Sequence, residues 1–198
     1  DLCGQYRNTP KQDGFGHGPD ASTLAGLPHF KKVRFNGKFP IATITFQDDD
    51  FPAAVELLAF NPFIPLDADN SSIPAAFFEI KIKSLQDNVK YTAIFTVTNP
   101  YPYSLNRKLE SDKYTAIHLK SAEVSPEDKN YGDLTVAVDS PDGVYQEYWY
   151  RGRWRDNITT FWNNLLENEF ANRRYETAEK KLDVCSVGAS KVINNKEN

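Results

Sequence analysis

Ala75-Ala76-Phe77-Phe78-Glu79-Ile80-Lys81-Ile82-Lys83 decides the fold class. Phe78, Ile80 and Ile82 recur at every second position, and Phe77, Glu79, Lys81 and Lys83 fill the positions between. A period of two sends successive side chains to opposite faces of a strand. One apolar face and one mostly charged face are the mark of an antiparallel sheet with one side wet.

Working outward, the same grammar repeats. Upstream, Val55 to Phe60 reads as a strand stopped by Asn61-Pro62, and Pro62 and Pro65 bracket the short apolar piece Phe63-Ile64. Asp67 to Ser72 reads as a polar loop. Val33-Arg34-Phe35 and Ile41 to Phe46 read as a hairpin, with Asn36-Gly37 as its turn signal. Downstream, Tyr91 to Thr98 ends at Asn99-Pro100, and Tyr114 to Lys120, Leu134 to Asp139, Val144 to Tyr150 and Leu182 to Ala189 follow. Short strands at this spacing predict a mainly β chain, an antiparallel two-sheet β-sandwich. One segment departs from period two. Ile158, Phe161, Trp162, Leu165 and Leu166 sit at helical spacing behind Asp156, which predicts one amphipathic helix near residues 156–168.

The expected organisation is an irregular segment over residues 1–29, a sandwich domain over 30–193 and a polar tail over 194–198. The aromatic load is high, with Phe and Tyr supplying most of it, and such residues suit pleated, half-buried surfaces. The formal net charge is −4, and Lys and Arg are scattered rather than striped, which argues against nucleic acid as a partner. No stretch approaches the ~20 apolar residues of a membrane span. The expectation is a soluble protein, with the cytoplasm favoured. The chain contains no Met, so Asp1 is not a translation start and the sequence reads as a fragment or a processed chain.

No metal or other cofactor is expected. His17, His29 and His118 have no i, i+4 pairing, and Cys3 and Cys185 stand far apart without a C-x-x-C pair. Two free thiols are favoured over a disulfide joining the chain ends. Asp48-Asp49-Asp50, and Asp67 with Asp69 and Asn70, offer oxygen ligands, but turn chemistry is the expected role. Asn70-Ser71-Ser72 and Asn157-Ile158-Thr159 match the glycosylation acceptor pattern, which matters only in a secreted eukaryotic protein. There is no G-x-S-x-G motif and no strand–helix unit after Gly14-x-Gly16-x-Gly18.

The richest constellation is Tyr145 to Arg155: Tyr145, Glu147, Tyr148, Trp149, Tyr150, Arg151, Arg153, Trp154 and Arg155, followed by Asp156. Three readings stand open. The residues can be core, with Arg stacked on ring faces. They can be an interface, since aromatic residues and Arg dominate hot spots. They can contact sugar, with rings stacking on its apolar CH face. Tyr148, Trp149, Tyr150, Arg151, Arg153 and Trp154 are therefore candidates for binding or a domain interface, and His17 joins them on a Gly-rich loop.

Several stretches resemble the N-terminal domain of glycoside hydrolase family 116, which includes bile-acid β-glucosidase (non-lysosomal glucosylceramidase). They are Leu24 to Phe30, Gly37 to Ala42, Asp50-Phe51-Pro52, Ala59 to Leu66, Ser71-Ser72-Ile73-Pro74, Phe78-Glu79-Ile80, Tyr131-Gly132-Asp133, Trp154-Arg155-Asp156 and Ser186 to Ala189. Asn61-Pro62-Phe63-Ile64-Pro65-Leu66 followed by Ser71-Ser72-Ile73-Pro74 is the most specific part. The Gly-rich opening usual in the family is missing or much altered. The resemblance implies a two-sheet sandwich that supports a separate (α/α)6 helical-barrel catalytic domain, in a parent that hydrolyses β-glucosides with retention. It places no catalytic residue in this chain, from which no activity alone is expected. A stand-alone carbohydrate-binding module and a protein-interaction domain are the alternatives.

Overall fold

The computed structural model describes residues 27–152, 156–167, 170–180 and 182–195. The chain divides into two compact units. Unit 1 holds the described residues up to Lys90 together with those from Val192, and unit 2 holds Tyr91–Lys191.

Unit 1 is built on an antiparallel meander of β1 (Lys32–Lys38), β2 (Ile41–Gln47), β3 (Ala53–Phe60) and β4 (Phe77–Ser84), in that spatial order. The register places Val33, Phe46, Val55 and Ile82 in one row, and Phe35, Ile44, Leu57 and Ile80 in another. Rows two residues apart share a face, so this face is apolar throughout. On the other face the row Arg34, Thr45, Glu56, Lys81 is polar. Phe46 is buried, and Phe30 packs against it and against Phe51, with ring centroids 5.2 and 5.1 Å apart.

Two local expectations are corrected. Asn36-Gly37 is not the hairpin turn, because both residues lie within β1, opposite Thr43 and Ala42. The chain reverses at Phe39-Pro40, a cis peptide. A Cβ at Gly37 would stand 2.8 Å from the ring of Phe35, an exposed side chain that can turn aside. Between β3 and β4, the loop at Asp67 to Ser72 contains a single helical turn, α1 (Ala68–Ser71), capped by the Asp67 carboxylate.

Unit 2 contains the two-sheet sandwich. One sheet has the order β6 (Ser104–Leu109), β7 (Thr115–Ser121), β8 (Asp133–Val138), with antiparallel pairing. The other has the order β5 (Val89–Thr98), β10 (Val184–Ile193), β9 (Val144–Gln146). Thr92 bonds Ser190 and Thr96 bonds Ser186, so β5 and β10 also run antiparallel. Ile117, Leu119 and Val136 of the first sheet meet Cys185 and Val187 of the second in one buried core. The mainly β, antiparallel reading of the sequence holds.

β6 is absent from the sequence reading because Ser-Leu-Asn-Arg-Lys-Leu shows no β-branched residue and no clean alternation. Val144 to Tyr150 is strand only as far as Gln146. Beyond it, side chains take over the backbone: Asn172 accepts from the Glu147 N–H and Asn106 donates to the Glu147 carbonyl. The helix α2 spans Asp156–Leu166, with Phe161 buried.

Gly188, in β10, faces the β5 backbone. A Cβ there would stand 2.4 Å from the Ala93 carbonyl oxygen, so something in the backbone must move. Gly188→Ala is expected to destabilise unit 2 by about 2 kcal/mol, read as a shift in denaturant midpoint.

Cys185 is free and fully buried, and burial pushes its thiol up to about 12. Because the thiolate is the nucleophile, Cys185 is expected to resist an aromatic disulfide reagent at pH 8 and to react only on unfolding. Mass spectrometry of the labelled chain checks this. Cys3 lies outside the described residues.

Candidate functional site

The strip after β9 alternates between inward anchors and one outward ring. Tyr148 is 1% exposed and Trp149 6%. The Trp149 ring stacks on Phe161 of α2, with centroids 4.1 Å apart and 15° between planes. Its indole N–H donates to Ser186 Oγ at 2.8 Å, and its backbone N–H donates to the Val184 carbonyl at 2.9 Å. The Tyr148 hydroxyl accepts the Asn106 N–H at 2.9 Å, which ties the strip to β6.

Arg151 also turns inward. Its Nε and Nη2 hold Asp183 in a two-point pair at 2.9 and 2.8 Å, and Nη1 donates to the Thr177 carbonyl at 2.9 Å. The guanidinium lies 4.0 Å from the Tyr175 ring centroid and 5.5 Å from that of Tyr148. Burial alone would lower the Arg151 pKa, but the bonds and charge of Asp183 outweigh it and raise it. A planar fork pinned at two oxygens and stacked on a ring is fixed in direction.

Glu147 is the second anchored charge. Its side chain is fully buried and takes four hydrogen bonds. Arg174 Nε and Nη2 donate at 2.6 and 3.0 Å, the Lys108 N–H at 2.8 Å and Asn172 Nδ2 at 3.0 Å. Burial pushes this carboxyl up, but Arg174 and the other donors outweigh burial and hold it below the usual range. Asn106 continues the network, donating to the Glu147 carbonyl at 2.7 Å and accepting from Asn99 at 2.8 Å. Asp183 is held further by the Ser104 hydroxyl, which accepts its N–H at 3.0 Å.

Of the residues singled out in the sequence, Tyr148, Trp149 and Arg151 thus come together as inward anchors. Tyr150 remains 44% exposed and borders a shallow groove with Gly152, Asn157 and Leu182. Arg153, Trp154 and His17 lie outside the described residues. Sequence reasoning missed Asn99, Asn106, Asn172, Arg174, Tyr175 and Asp183, because no local spacing links them to the strip.

The other candidates resolve into turn and surface chemistry. Asp48 caps its own turn by accepting the Asp50 N–H at 3.0 Å, and Lys31 pairs with both Asp48 and Asp50. Asp67 accepts the Asn70 N–H at 3.0 Å. His118 pairs with Asp133 at 3.1 Å. Among the described residues no group of three His, Cys, Asp or Glu side chains is placed to hold a metal. Among them, too, no helix is long and apolar enough to cross a membrane.

A glycosidase needs a carboxylic acid with a raised pKa beside a second carboxylate. The buried acids of the described residues are Glu147 and Asp183, each held by a guanidinium, and Glu147 is shifted the opposite way. What the geometry defines is an antiparallel β domain whose two buried acids, Glu147 and Asp183, are held by Arg174 and Arg151. The family model described as "beta-glucosidase 2, glycosyl-hydrolase family 116 N-term" matches residues 4–197, and the chain belongs to that family as its N-terminal domain. The comparison with curated proteins found no match.

Proposed function

We propose that the chain is the non-catalytic sandwich region of a retaining β-glucosidase, and that it supports a separate helical-barrel domain carrying the catalytic carboxylates. The observation that carries this reading is the family match across residues 4–197. The binding of Glu147 by Arg174 and of Asp183 by Arg151 supports it, since both carboxylates are buried with their oxygens already engaged and are not presented to a substrate. The inward turn of Tyr148 and Trp149 favours this reading over a free-standing sugar-binding module, which needs an exposed row of rings.

The test compares this chain with its full-length parent on aryl β-glucosides. The parent is expected to turn over with retention, and the 198-residue chain to show none. Hydrolysis by the chain alone that disappears on replacing one of its own carboxylates would falsify the proposal.

A further inference from the structure

Three groups that stay in contact with solvent border one groove of unit 2. Tyr150 is 44% exposed, Leu182 is 50% exposed, and Asn157 stands in the first turn of α2. Each lies next to a buried anchor. Tyr150 sits between Trp149 and Arg151, Leu182 precedes Asp183, and Asn157 is carried by the helix that Phe161 fastens to Trp149. The backbone between the anchors is fixed as well. The Tyr150 carbonyl accepts the Gly152 N–H at 2.9 Å, and the Arg151 N–H donates to the Tyr175 hydroxyl at 3.0 Å. Groups held in place before a ligand arrives lose little freedom on binding it.

The groove holds about 100 Å³, room for roughly eight waters. That volume admits one face of a single six-membered ring. An apolar lining with a few convergent polar groups is the usual make-up of a small-molecule site. Here Tyr150 and Leu182 supply the apolar surface. Among the described residues the Asn157 side-chain amide and the Tyr150 hydroxyl have no hydrogen-bond partner. An amide that both donates and accepts, and a hydroxyl beside it, are therefore left for a ligand.

The charges around the groove restrict what it can take. Arg151 is occupied by Asp183, by the Thr177 carbonyl and by Glu179. Asp156 lies against Gly152, where a Cβ would collide with its Oδ1, so glycine there admits a carboxylate to the edge of the groove. Asp156 stands in the first turn of α2, whose positive end offsets its charge. With the guanidinium engaged and Asp156, Glu179 and Asp183 close by, the surroundings disfavour an anion. An amide and a carboxylate suit hydroxyl groups, and a half-exposed ring beside a leucine suits C–H surface. A pyranose carries both, an apolar CH face and a rim of hydroxyls. We propose that the groove bordered by Tyr150, Asn157 and Leu182 is a subsite for a single neutral pyranose ring. Such a subsite is separate from the supporting role proposed above and does not rest on it.

The test is an NMR titration of the 198-residue chain with methyl β-glucopyranoside, with cyclohexanol, inorganic phosphate and tetramethylammonium as comparisons. The glycoside is expected to shift the signals of Tyr150, Asn157 and Leu182 saturably at millimolar concentrations, and the comparison compounds to leave them in place. Tyr150→Ala and Asn157→Ala are each expected to weaken binding about tenfold. Tyr150→Phe keeps the ring and is expected to weaken it less. Signals of the buried Tyr148 and Val187 report that each variant is folded. Cyclohexanol shifts equal to those of the glycoside would mean that the groove takes any apolar ring, and binding of phosphate or tetramethylammonium in its place would assign it to an ion. Either result overturns the inference, as does a folded chain whose groove signals the glycoside never moves. None of these outcomes bears on the supporting role, which the comparison of chain and parent on aryl β-glucosides decides separately.

Discussion

Trp149→Ala is expected to cost unit 2 about 4 kcal/mol and to lower its thermal midpoint by on the order of 20 °C. The indole is 6% exposed and fills the space between α2 and the β10 strand. Truncation removes the stack on Phe161, leaves the Ser186 hydroxyl without the indole donor and opens a void that the surrounding sheet closes only in part. Trp149→Phe separates these contributions. It keeps a ring against Phe161 and loses only the bond to Ser186, so it should cost about 1 kcal/mol beyond the change in volume. Calorimetry on the three proteins reads both steps. A Trp149→Ala chain that melts with the unmodified one would mean that the strip faces outward and is free to bind, contrary to its burial.

Arg174→Ala should lower the unfolding midpoint measurably, although the Arg174 side chain is 62% exposed. Surface arginines ordinarily contribute little. This one is the solvent-side cation of a carboxylate with no exposure of its own, and its removal strands Glu147 as a buried charge with only neutral donors. The pH dependence has a definite sign. A carboxyl whose folded pKa lies below its ordinary 4.5 stabilises the fold above that value and loses the contribution as pH falls through the folded pKa. The gap between the unmodified protein and Arg174→Ala should therefore be largest toward neutral pH and should narrow as pH falls, because Glu147 takes up a proton first in the variant, where burial is no longer offset by Arg174, and only later in the unmodified protein. A gap independent of pH would show that Arg174 acts by packing its stem rather than by charge.

Where the sequence could be read and where it could not follows from how far apart the partners lie. Phe78, Ile80 and Ile82 announce their strand because one sheet face is wet and the other apolar, a contrast written in neighbouring residues. Asp156 to Leu166 announces its helix in the same local way. β6 is silent because Ser104 and Asn106 are buried by bonds to Asp183, Tyr148 and Glu147, none of them near in sequence. The Tyr145–Arg155 strip stood out for its composition, but composition does not give direction. Tyr148 and Arg151 turn inward because Asn106, Tyr175 and Asp183 receive them, and those residues carry no periodic signal. Asn36-Gly37 misleads for a related reason: a turn signal yields to a strand register fixed by Phe35, Ile44 and Leu57 on the apolar face.

The order β5, β10, β9 has a consequence for biosynthesis. The central strand of that sheet is the last to leave the ribosome, while its two neighbours appear some hundred and some forty residues earlier. Until Val184–Ile193 emerges, β5 and β9 lack the strand that joins them, and Ile117 and Leu119 face an unfinished core. Nascent chains halted before that point should be prone to associate through these open edges. The nascent domain would therefore depend on chaperone shelter until its final strand has been delivered.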